Sequence, residues 1–529
     1  MRKFLLIFFT LNYLRPVQVQ YQFWYRFRRM WRSLTGYKYN LSFNKEGKTL
    51  VLTPWINKPI SLSNNTFTFL NLSKKYPEKK INWIDNSYGK LWTYNLNYMD
   101  YLLQPEIEQE TSRKLIEDFI HNLDQKSIGL DPYPIALRGI NWIKFFSQNP
   151  SISSSFNNSL YAQYIILLDN LEYHLLGNHL LEDGFSLLFG AFYFQDDKLY
   201  RSATKIMKQE LNEQILADGA HFELSPMYHQ IILDRLLDCI NLLQNNQSFE
   251  DQETLLQLMQ EKAQQMLVWL NYITFTNGNI PLLNDSAPGI APTTTQLNAY
   301  AQRLGVRVIR PNSCNLSPSG YRKFSSPIYE CVIDTGNIIP SYQPGHAHAD
   351  TFNFVLNVHN EPLIVDTGIS TYEANETRLK ERGTAAHNTV TIQDKNSSEI
   401  WSSFRVAQRA EVTIEKETDD FIKASHNGYR RLNTIHSREW KFLNDVIIIK
   451  DSLAGKITEG KAHLILAPGI NPVLNNEKLD LGKAVISFKN ALSVKFVPTK
   501  LPAGYNIFTE NVTVEITFNE YVEYTIALS

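Results

Sequence analysis

Between about residues 95 and 305, apolar side chains return every three or four positions, the repeat of a helix with one buried face. Leu160, Tyr164, Leu167, Leu171 and Leu175 show the step plainly, and Gly177 after them reads as a helix stop. Comparable runs cover 134–147, 183–194, 198–216, 227–244 and 253–275. Such helices must bury their apolar faces against neighbours, so a series joined by short loops predicts a helical toroid or solenoid. No fixed-length repeat is present to make it a simple solenoid. After about residue 320 the texture changes to short runs rich in β-branched and aromatic residues: Tyr329–Asp334, Val412–Glu415, Val446–Ile449, Ala462–Leu466, Ala484–Phe488 and Tyr521–Ile526. Asn, Gly, Asp and Lys punctuate them, the pattern of an antiparallel all-β domain of layered sheets. The fold class expected is α+β and multidomain, with Arg310–Ser319 as linker. Residues 1–90 form an arm and lead-in, 91–310 the toroid and 320–529 the β-domain.

Length and charge narrow the picture. At 529 residues the chain exceeds one core, which favours two large domains with a ligand cleft between them. A formal net charge of −1 with well-mixed signs gives no global attraction to nucleic acid or anionic membrane. Aromatics reach 12%, enough for sugar-stacking surfaces as well as large cores. Cys239, Cys314 and Cys331 form no close pair, so neither a disulfide framework nor a cysteine metal site is expected; the compartment, cytoplasm or periplasm, stays open. The run Phe4–Phe9 after Arg2 and Lys3 imitates a signal peptide, but it soon meets Asn12, Arg15 and Pro16, with no small-residue cleavage site. It is too short to span a bilayer. With the aromatic and basic stretch Tyr21–Arg29, it predicts a retained helical arm and no transmembrane segment.

The densest chemistry lies at Gly345-His-Ala-His-Ala-Asp350. On a strand, His346, His348 and Asp350 would share a face with Phe352, Phe354 and Leu356. Imidazoles and a carboxylate at the mouth of an apolar face need a partner, a metal or a task; two histidines satisfied by hydrogen bonds at a strand end are the plain alternative. Leu363–Asp366 reads as a short buried strand ending in a carboxylate, and His387 opens another. Three adjacent strands would bring His348, Asp366 and His387 together as a set suited to zinc with one open position. In the helical half, Asn178 and His179 fall between helices, where a helix cap and a solvated loop residue are the readings favoured by these residues taken alone. Ser225 and Pro226 predict a helix start that places Tyr228 in the first turn, where the positive end of the helix eases access to the phenolate and a proton shuttle. A packed helix-start tyrosine is the alternative. Arg138, one turn into a helix, could bind a carboxylate or serve an interhelical ion pair. Arg378 and Arg382 crowd the loop beside the proposed metal, with Tyr372 nearby, and Arg405 and Arg409 follow Trp401.

Taken together, Leu91–Leu96, Tyr133-Pro with Arg138 and Asn141-Trp142, Gly177–His179, Ser225–Tyr228, Pro281–Asp285, Gly345–Asp350, Val365–Gly368 and Ala386–Val390 resemble the heparinase II/III-type polysaccharide lyases. The likeness is greatest to bacterial members found with exopolysaccharide genes. The resemblance implies an incomplete (α/α) toroid joined to an antiparallel β-sandwich, and eliminative cleavage of an acidic, uronate-containing glycan. It assigns Asn178 to neutralising the uronate carboxylate, with His346 in the same active site. Tyr228 protonates the leaving oxygen and can also take the proton, and His179 is the base for a proton on the other face. Tyr372 falls near a further active-site tyrosine. His348, Asp366 and His387 match a zinc site that organises the β-domain, which leaves Asp350 only local hydrogen bonding. Arg138, Arg378, Arg382 and Arg405 are the substrate-binding candidates. Two other functions use the same residues: a hydrolase with metal-activated water, and a non-catalytic glycan-binding protein.

Overall fold

The computed structural model describes residues 2–77, 80–124, 127–149 and 152–529. Helices α1 (Arg2–Leu11) and α2 (Pro16–Thr35) come first. A three-stranded antiparallel sheet, Leu62–Ser63, Thr66–Phe69 and Leu72–Lys75, leads into the helical domain. Helices α3 (Lys90–Tyr98), α4 (Gln109–Asn122), α5 (Pro132–Gln148), α6 (Ser154–Asp169), α7 (Gly177–Phe194), α8 (Asp197–Gln214), α9 (Pro226–Asn245), α10 (Gln252–Ile273) and α11 (Thr294–Arg303) follow as an incomplete toroid. Each period-3.6 run of the sequence corresponds to one of them.

Helix α7 sits at the middle of this packing, against α5, α8 and α9. Its sequence is apolar nearly all round, the mark of a helix with no solvent face. Every residue of Gly177–Phe194 is buried except His179. The helix stop expected at Gly177 is instead a helix start. Helix α6 ends at Asp169 and residues 170–176 turn the chain. Gly177, at φ +63°, reverses it into α7, a left-handed backbone that glycine adopts without penalty. A Cβ there would also lie 2.8 Å from Glu223 Oε1.

The β-domain has two antiparallel layers. Tyr321–Ser325, Tyr329–Asp334, Phe354–Val358 and Glu361–Ile364 make a four-stranded sheet. The larger sheet is built from strands between Val412 and Leu528, dominated by the hairpin Ala484–Gly504 and Ile507–Leu528, with Glu459–Ile465 and Val390–Thr391 alongside. Its strands alternate buried and half-buried positions, as in Phe421–His426, so one face supplies the core with Trp440, Ile447, Ile449, Leu464 and Tyr524. Asn388 stitches the layers. Its Nδ2 donates to the carbonyls of Phe354 (2.7 Å) and Val365 (2.8 Å), and its Oδ1 accepts from the Ile465 amide (2.7 Å).

Two strand expectations are corrected here. Residues 345–352 are not a strand; the ladder begins at Phe354. The backbone of this loop is satisfied by other partners. The His348 amide donates to Asn284 Oδ1 (3.0 Å), the Ala349 amide to the Arg382 carbonyl (2.9 Å), and the Ala347 carbonyl accepts from Arg382 Nε (3.1 Å). Nor do three adjacent strands gather the proposed metal ligands. Asp366 lies just past Glu361–Ile364 in the small sheet, whereas His387 precedes Val390–Thr391, which pairs with Glu459–Ile465 in the large one. Those two residues meet at the seam between the layers.

Candidate active site

A cleft of about 2210 Å³ runs between toroid and β-domain. Its wall includes Asn178, His179, Glu223 and Tyr228 from the helical side, and His346, Tyr372, Arg405 and Tyr505 from the β side. All five residues expected to be catalytic therefore face one space.

Asn178 and His179 are the second and third residues of α7. Leu176, immediately before, has φ 63° and ψ −154°, a region that side chains other than hydrogen rarely occupy. The Leu176 amide donates to the Glu172 carbonyl (2.8 Å), and Gln214 Nε2 donates to the Gly177 carbonyl (2.8 Å), which holds the turn. Glu223 then fixes Asn178 at two points, accepting from its amide N (3.2 Å) and its Nδ2 (2.9 Å). Asn178 Nδ2 also lies 3.4 Å from His346 Nε2, and Asn178 Oδ1 has no hydrogen-bond partner among the described residues. His179 Nδ1 pairs with Glu172 Oε2 at 2.9 Å, its ring rests 4.7 Å from Tyr133, and its side chain keeps 38% exposure. Burial pulls the His179 pKa down, but the Glu172 carboxylate outweighs it and the net shift is upward.

Ser225 caps α9 as expected, accepting from the Tyr228 amide at 3.2 Å, and the same hydroxyl donates to the Asp285 carbonyl at 2.8 Å. This places the Tyr228 ring 4.0 Å from that of His346. Its hydroxyl is 2.9 Å from that of Tyr372, which is 3.3 Å from His346 Nδ1. The expected ease of forming a phenolate is not found. Burial raises the Tyr228 pKa well above that of a free phenol, because a desolvated anion costs more than the first helical turn returns. The phenol is held protonated, as an acid.

Asp285 organises the β side of the site. Fully buried, its carboxylate accepts from His346 Nδ1 (2.9 Å), His348 Nε2 (2.8 Å), Arg378 Nη1 and Arg378 Nη2 (2.7 Å). Burial pushes its pKa up, but Arg378 first and the two imidazoles after it hold it well below the carboxylate range. Asp285 and Glu223 were not among the expected site residues, although Asp285 closes the motif Pro281–Asp285 and Glu223 stands two residues before Ser225–Tyr228. A carboxylate just ahead of the Ser-Pro cap, and one closing an apolar run, were the available signals.

The basic candidates divide. Arg138 does not reach the cleft: its guanidinium is fully buried and donates to Gln163 Oε1 and to the carbonyls of Asn97 and Gly129. Arg378 is spent on Asp285, and Arg382 on the carbonyls of Ala347, Ser402 and Ser403. Both hold loops rather than substrate, since nearby backbone oxygens and one carboxylate use their donors. Arg405 lines the cleft.

The metal expectation is also redrawn. Asp350, Asp366 and His387 bring potential ligand atoms within 4.8 Å of one another, and Asp350 joins a cluster from which His348 stands slightly apart, its ring 5.2 Å from that of His387. His348 Nε2 is taken by Asp285 Oδ1 at 2.8 Å. His387 Nδ1 donates to Asp366 Oδ1 at 2.7 Å. Four buried atoms then lack hydrogen-bond partners among the described residues: His348 Nδ1, Asp350 Oδ2, Asp366 Oδ2 and His387 Nε2. Burial pulls His348 down to about 4, so its ring is neutral and Nδ1 carries a lone pair. The carboxylates of Asp350 and Asp366 and the imidazole of His387, gathered in one seam with the neutral His348 beside them, fit a divalent cation such as zinc.

Comparison with known proteins follows the same division. A heparinase II/III N-terminus model matches residues 141–305, and a heparinase II/III-like C-terminal model matches residues 309–520. A heparin-sulfate lyase of Pedobacter heparinus is 24% identical over 364 residues, 63% of this chain and 53% of that protein. One of Bacteroides stercoris is 24% identical over 339 residues, 57% of this chain and 48% of that protein. The chain thus spans about half the length of the curated relatives it matches. Among solved structures, heparinase III superposes with a TM-score of 0.66 at 16% identity, covering 86% of this chain and 80% of that one. The heparan sulfate lyase HepC from Pedobacter heparinus gives 0.57 at 18% identity, covering 88% and 81%. At these identities the likeness establishes the fold, toroid plus β-sandwich.

The buried Asp285–Arg378 pair makes a direct prediction. Asp285→Ala strands a guanidinium in the interior and lowers the unfolding free energy by about 3–5 kcal/mol in denaturant titration. Adding Arg378→Met to that variant recovers part of the loss. A double variant no more stable than the single one would show that the pair is not what holds the site.

Proposed function

Because this chain belongs to the heparinase II/III-type polysaccharide lyase family, we propose that it cleaves an acidic, uronate-containing polysaccharide by β-elimination in the cleft described above. The observation that carries this reading is the cluster of Asn178 Nδ2 and His346 Nε2, 3.4 Å apart on the cleft wall beside the Tyr228 phenol. Elimination needs that combination. The hydrogen at C5 of a uronate is a very weak acid until its neighbouring carboxylate is neutralised, so charge stabilisation of the developing enediolate is the largest requirement.

The carboxylate sits between the Asn178 amide and His346 Nε2–H. Asp285, accepting from Nδ1, orients the His346 ring, and Glu223 lies 3.7 Å from its Nε2. His179, with Nδ1 held by Glu172, takes the C5 proton on Nε2. The C5–H electron pair becomes the C4=C5 double bond, the C4–O bond breaks, and the departing oxygen takes the phenolic proton of Tyr228. Tyr372 holds the Tyr228 hydroxyl in place, and exchange with water in the cleft carries the proton from His179 back to the phenolate. Arg405 supplies positive charge along the cleft for the rest of the anionic polymer. A zinc ion held by Asp350, Asp366, His387 and the Nδ1 of His348 would supply structural cross-linking of the two β layers; these residues thereby fix the loop that carries His346.

Three outcomes are expected. On uronate polymers such as heparan sulfate and alginate, the parent generates the ultraviolet absorbance of a conjugated double bond, and Tyr228→Phe lowers its rate by about 10²–10⁴-fold. Chain shortening without that absorbance assigns hydrolysis, and binding without shortening assigns a glycan-binding protein. The acid limb of kcat/KM lies above the ordinary imidazole value of about 6.5, because the base works only when neutral and Glu172 raises His179. Glu172→Gln removes that charge and moves the limb to lower pH, whereas an unmoved limb excludes His179 as the base. In elemental analysis of the purified protein, His387→Ala loses the zinc that the parent retains; equal metal content in both would refute the ligand set.

A further inference from the structure

Helix α2 presents an inverted amphipathic face. Val19, Phe23, Phe27, Met30 and Leu34 recur at three- and four-residue steps and are all exposed, Phe23 at 67% and Leu34 at 77%. Trp24 and Trp31 widen the same arc, both at least half exposed. The polar side of the helix faces the protein instead. Gln18 Nε2 donates to the Leu175 carbonyl (3.1 Å), Arg15 pairs with Glu213, and Arg28 and Arg32 pair with Asp169 at 3.1 and 2.7 Å. Helix α1 adds Phe4, Leu5, Phe8 and Leu11, also exposed. It is anchored on the β-domain by Trp401 Nε1 donating to Thr10 Oγ1 (3.0 Å) and by Arg409 lying 3.8 Å over Tyr13. An aromatic-rich apolar face of this extent, turned outward from a well-anchored arm, marks an interaction surface.

Charge identifies the occupant. The whole chain balances 52 basic against 53 acidic residues, yet residues 1–35 carry Arg2, Lys3, Arg15, Arg26, Arg28, Arg29 and Arg32 and no Asp or Glu. Exposed Arg26 and Arg29 border one edge of the apolar arc, and exposed Lys3 lies in α1. A second copy docked face to face would set these like charges against each other around a twofold axis. No helix among the described residues is long and apolar enough to cross a membrane, and α2 itself contains four of the arginines. Bulky apolar and tryptophan side chains on one arc, flanked by cations, are the composition of a helix that lies in a bilayer interface with its bases among anionic headgroups.

We propose that the exposed face of α1 and α2 docks this protein on the surface of an anionic lipid membrane. Tyr25, Arg26 and Arg29 of α2 also line the cleft, so docking brings the cleft mouth close to the bilayer. The inference is independent of the lyase reading, because it rests on the arm alone.

The test is sedimentation of the full chain with vesicles of phosphatidylcholine, with and without phosphatidylglycerol. The parent partitions onto the phosphatidylglycerol vesicles at least roughly tenfold more strongly than onto phosphatidylcholine alone, and added salt weakens the preference. Phe23→Glu with Phe27→Glu abolishes partitioning while leaving the thermal unfolding midpoint in place. Leu34→Glu, at the most exposed of these apolar positions, serves the same purpose should the pair of substitutions disturb folding. Lys3→Glu with Arg26→Glu lowers the phosphatidylglycerol preference several-fold. A parent that stays in the supernatant with both vesicle types overturns the proposal. So does a doubled mass in light scattering that Phe23→Glu returns to the monomer value without any lipid binding, which assigns the face to a second copy.

Discussion

One buried carboxylate determines the arrangement of the site. Asp285 belongs to the helical half of the chain, between α10 and α11, whereas its donors His346, His348 and Arg378 come from the β-domain. A carboxylate with no solvent exposure is tolerable only when its charge is compensated and its lone pairs are used. Here a bidentate guanidinium and two imidazoles do both. Domain docking and site assembly are consequently the same event. Separating the halves would leave Asp285 without its partners and His346 without the group that orients it. The active face of the cleft exists only when both domains are in place.

Local backbone geometry completes what that interaction begins. Leu176, at φ 63°, and Phe352, at φ 71°, stand just before Asn178 and just after Asp350. Positive φ at bulky residues costs on the order of 1–3 kcal/mol and persists only where surroundings dictate it. Phe352 is clamped by its ring against His426, His436 and Trp440, while its carbonyl accepts from Arg438 at 2.7 Å. Gly368, at φ +61°, serves the same neighbourhood by close approach, since a Cβ there would lie 2.4 Å from the Ser286 carbonyl oxygen. Leu176 stands two residues before Asn178, and Phe352 two residues after Asp350, so these positions of strain lie next to a cleft residue and a seam residue.

Much of this was legible from residue order, and the failures share a cause. Helices with one apolar stripe announced themselves, as did the alternating strands of the β-domain, because burial acts on local periodicity. Ser225 and Pro226 located the start of α9 for the same local reason. The loop Gly345–Asp350 was misread as a strand because alternation of His and Ala imitates the period of two, while its hydrogen bonds go to Asn284 and Arg382, distant in sequence. Arg138, Arg378 and Arg382 read as substrate-binding candidates in the sequence, and only the fold shows their donors consumed by carbonyls, one amide and one carboxylate. Asp350 could not be recognised as part of the seam, nor Asp285 as the anchor, since each role depends on which segments the two domains bring together.

The seam and the cleft are separate places, and this bears on the chemistry. His346 lines the cleft; His348, Asp350, Asp366 and His387 do not, and each of those four is buried. A cation held by them would have no access to a glycosidic bond lying against Tyr228, so the donor set that suits zinc does not by itself argue for metal-activated water. It argues for rigidity. His348 connects the two places, with Nε2 on Asp285 and Nδ1 toward the seam, and His346 two residues earlier shares the same carboxylate. A cation in the seam would therefore stiffen the loop that carries His346 while standing apart from the cleft. In the proposed elimination, stabilising the enediolate would fall to Asn178 and His346 and the proton transfers to His179 and Tyr228, all four of which line the cleft and not the seam.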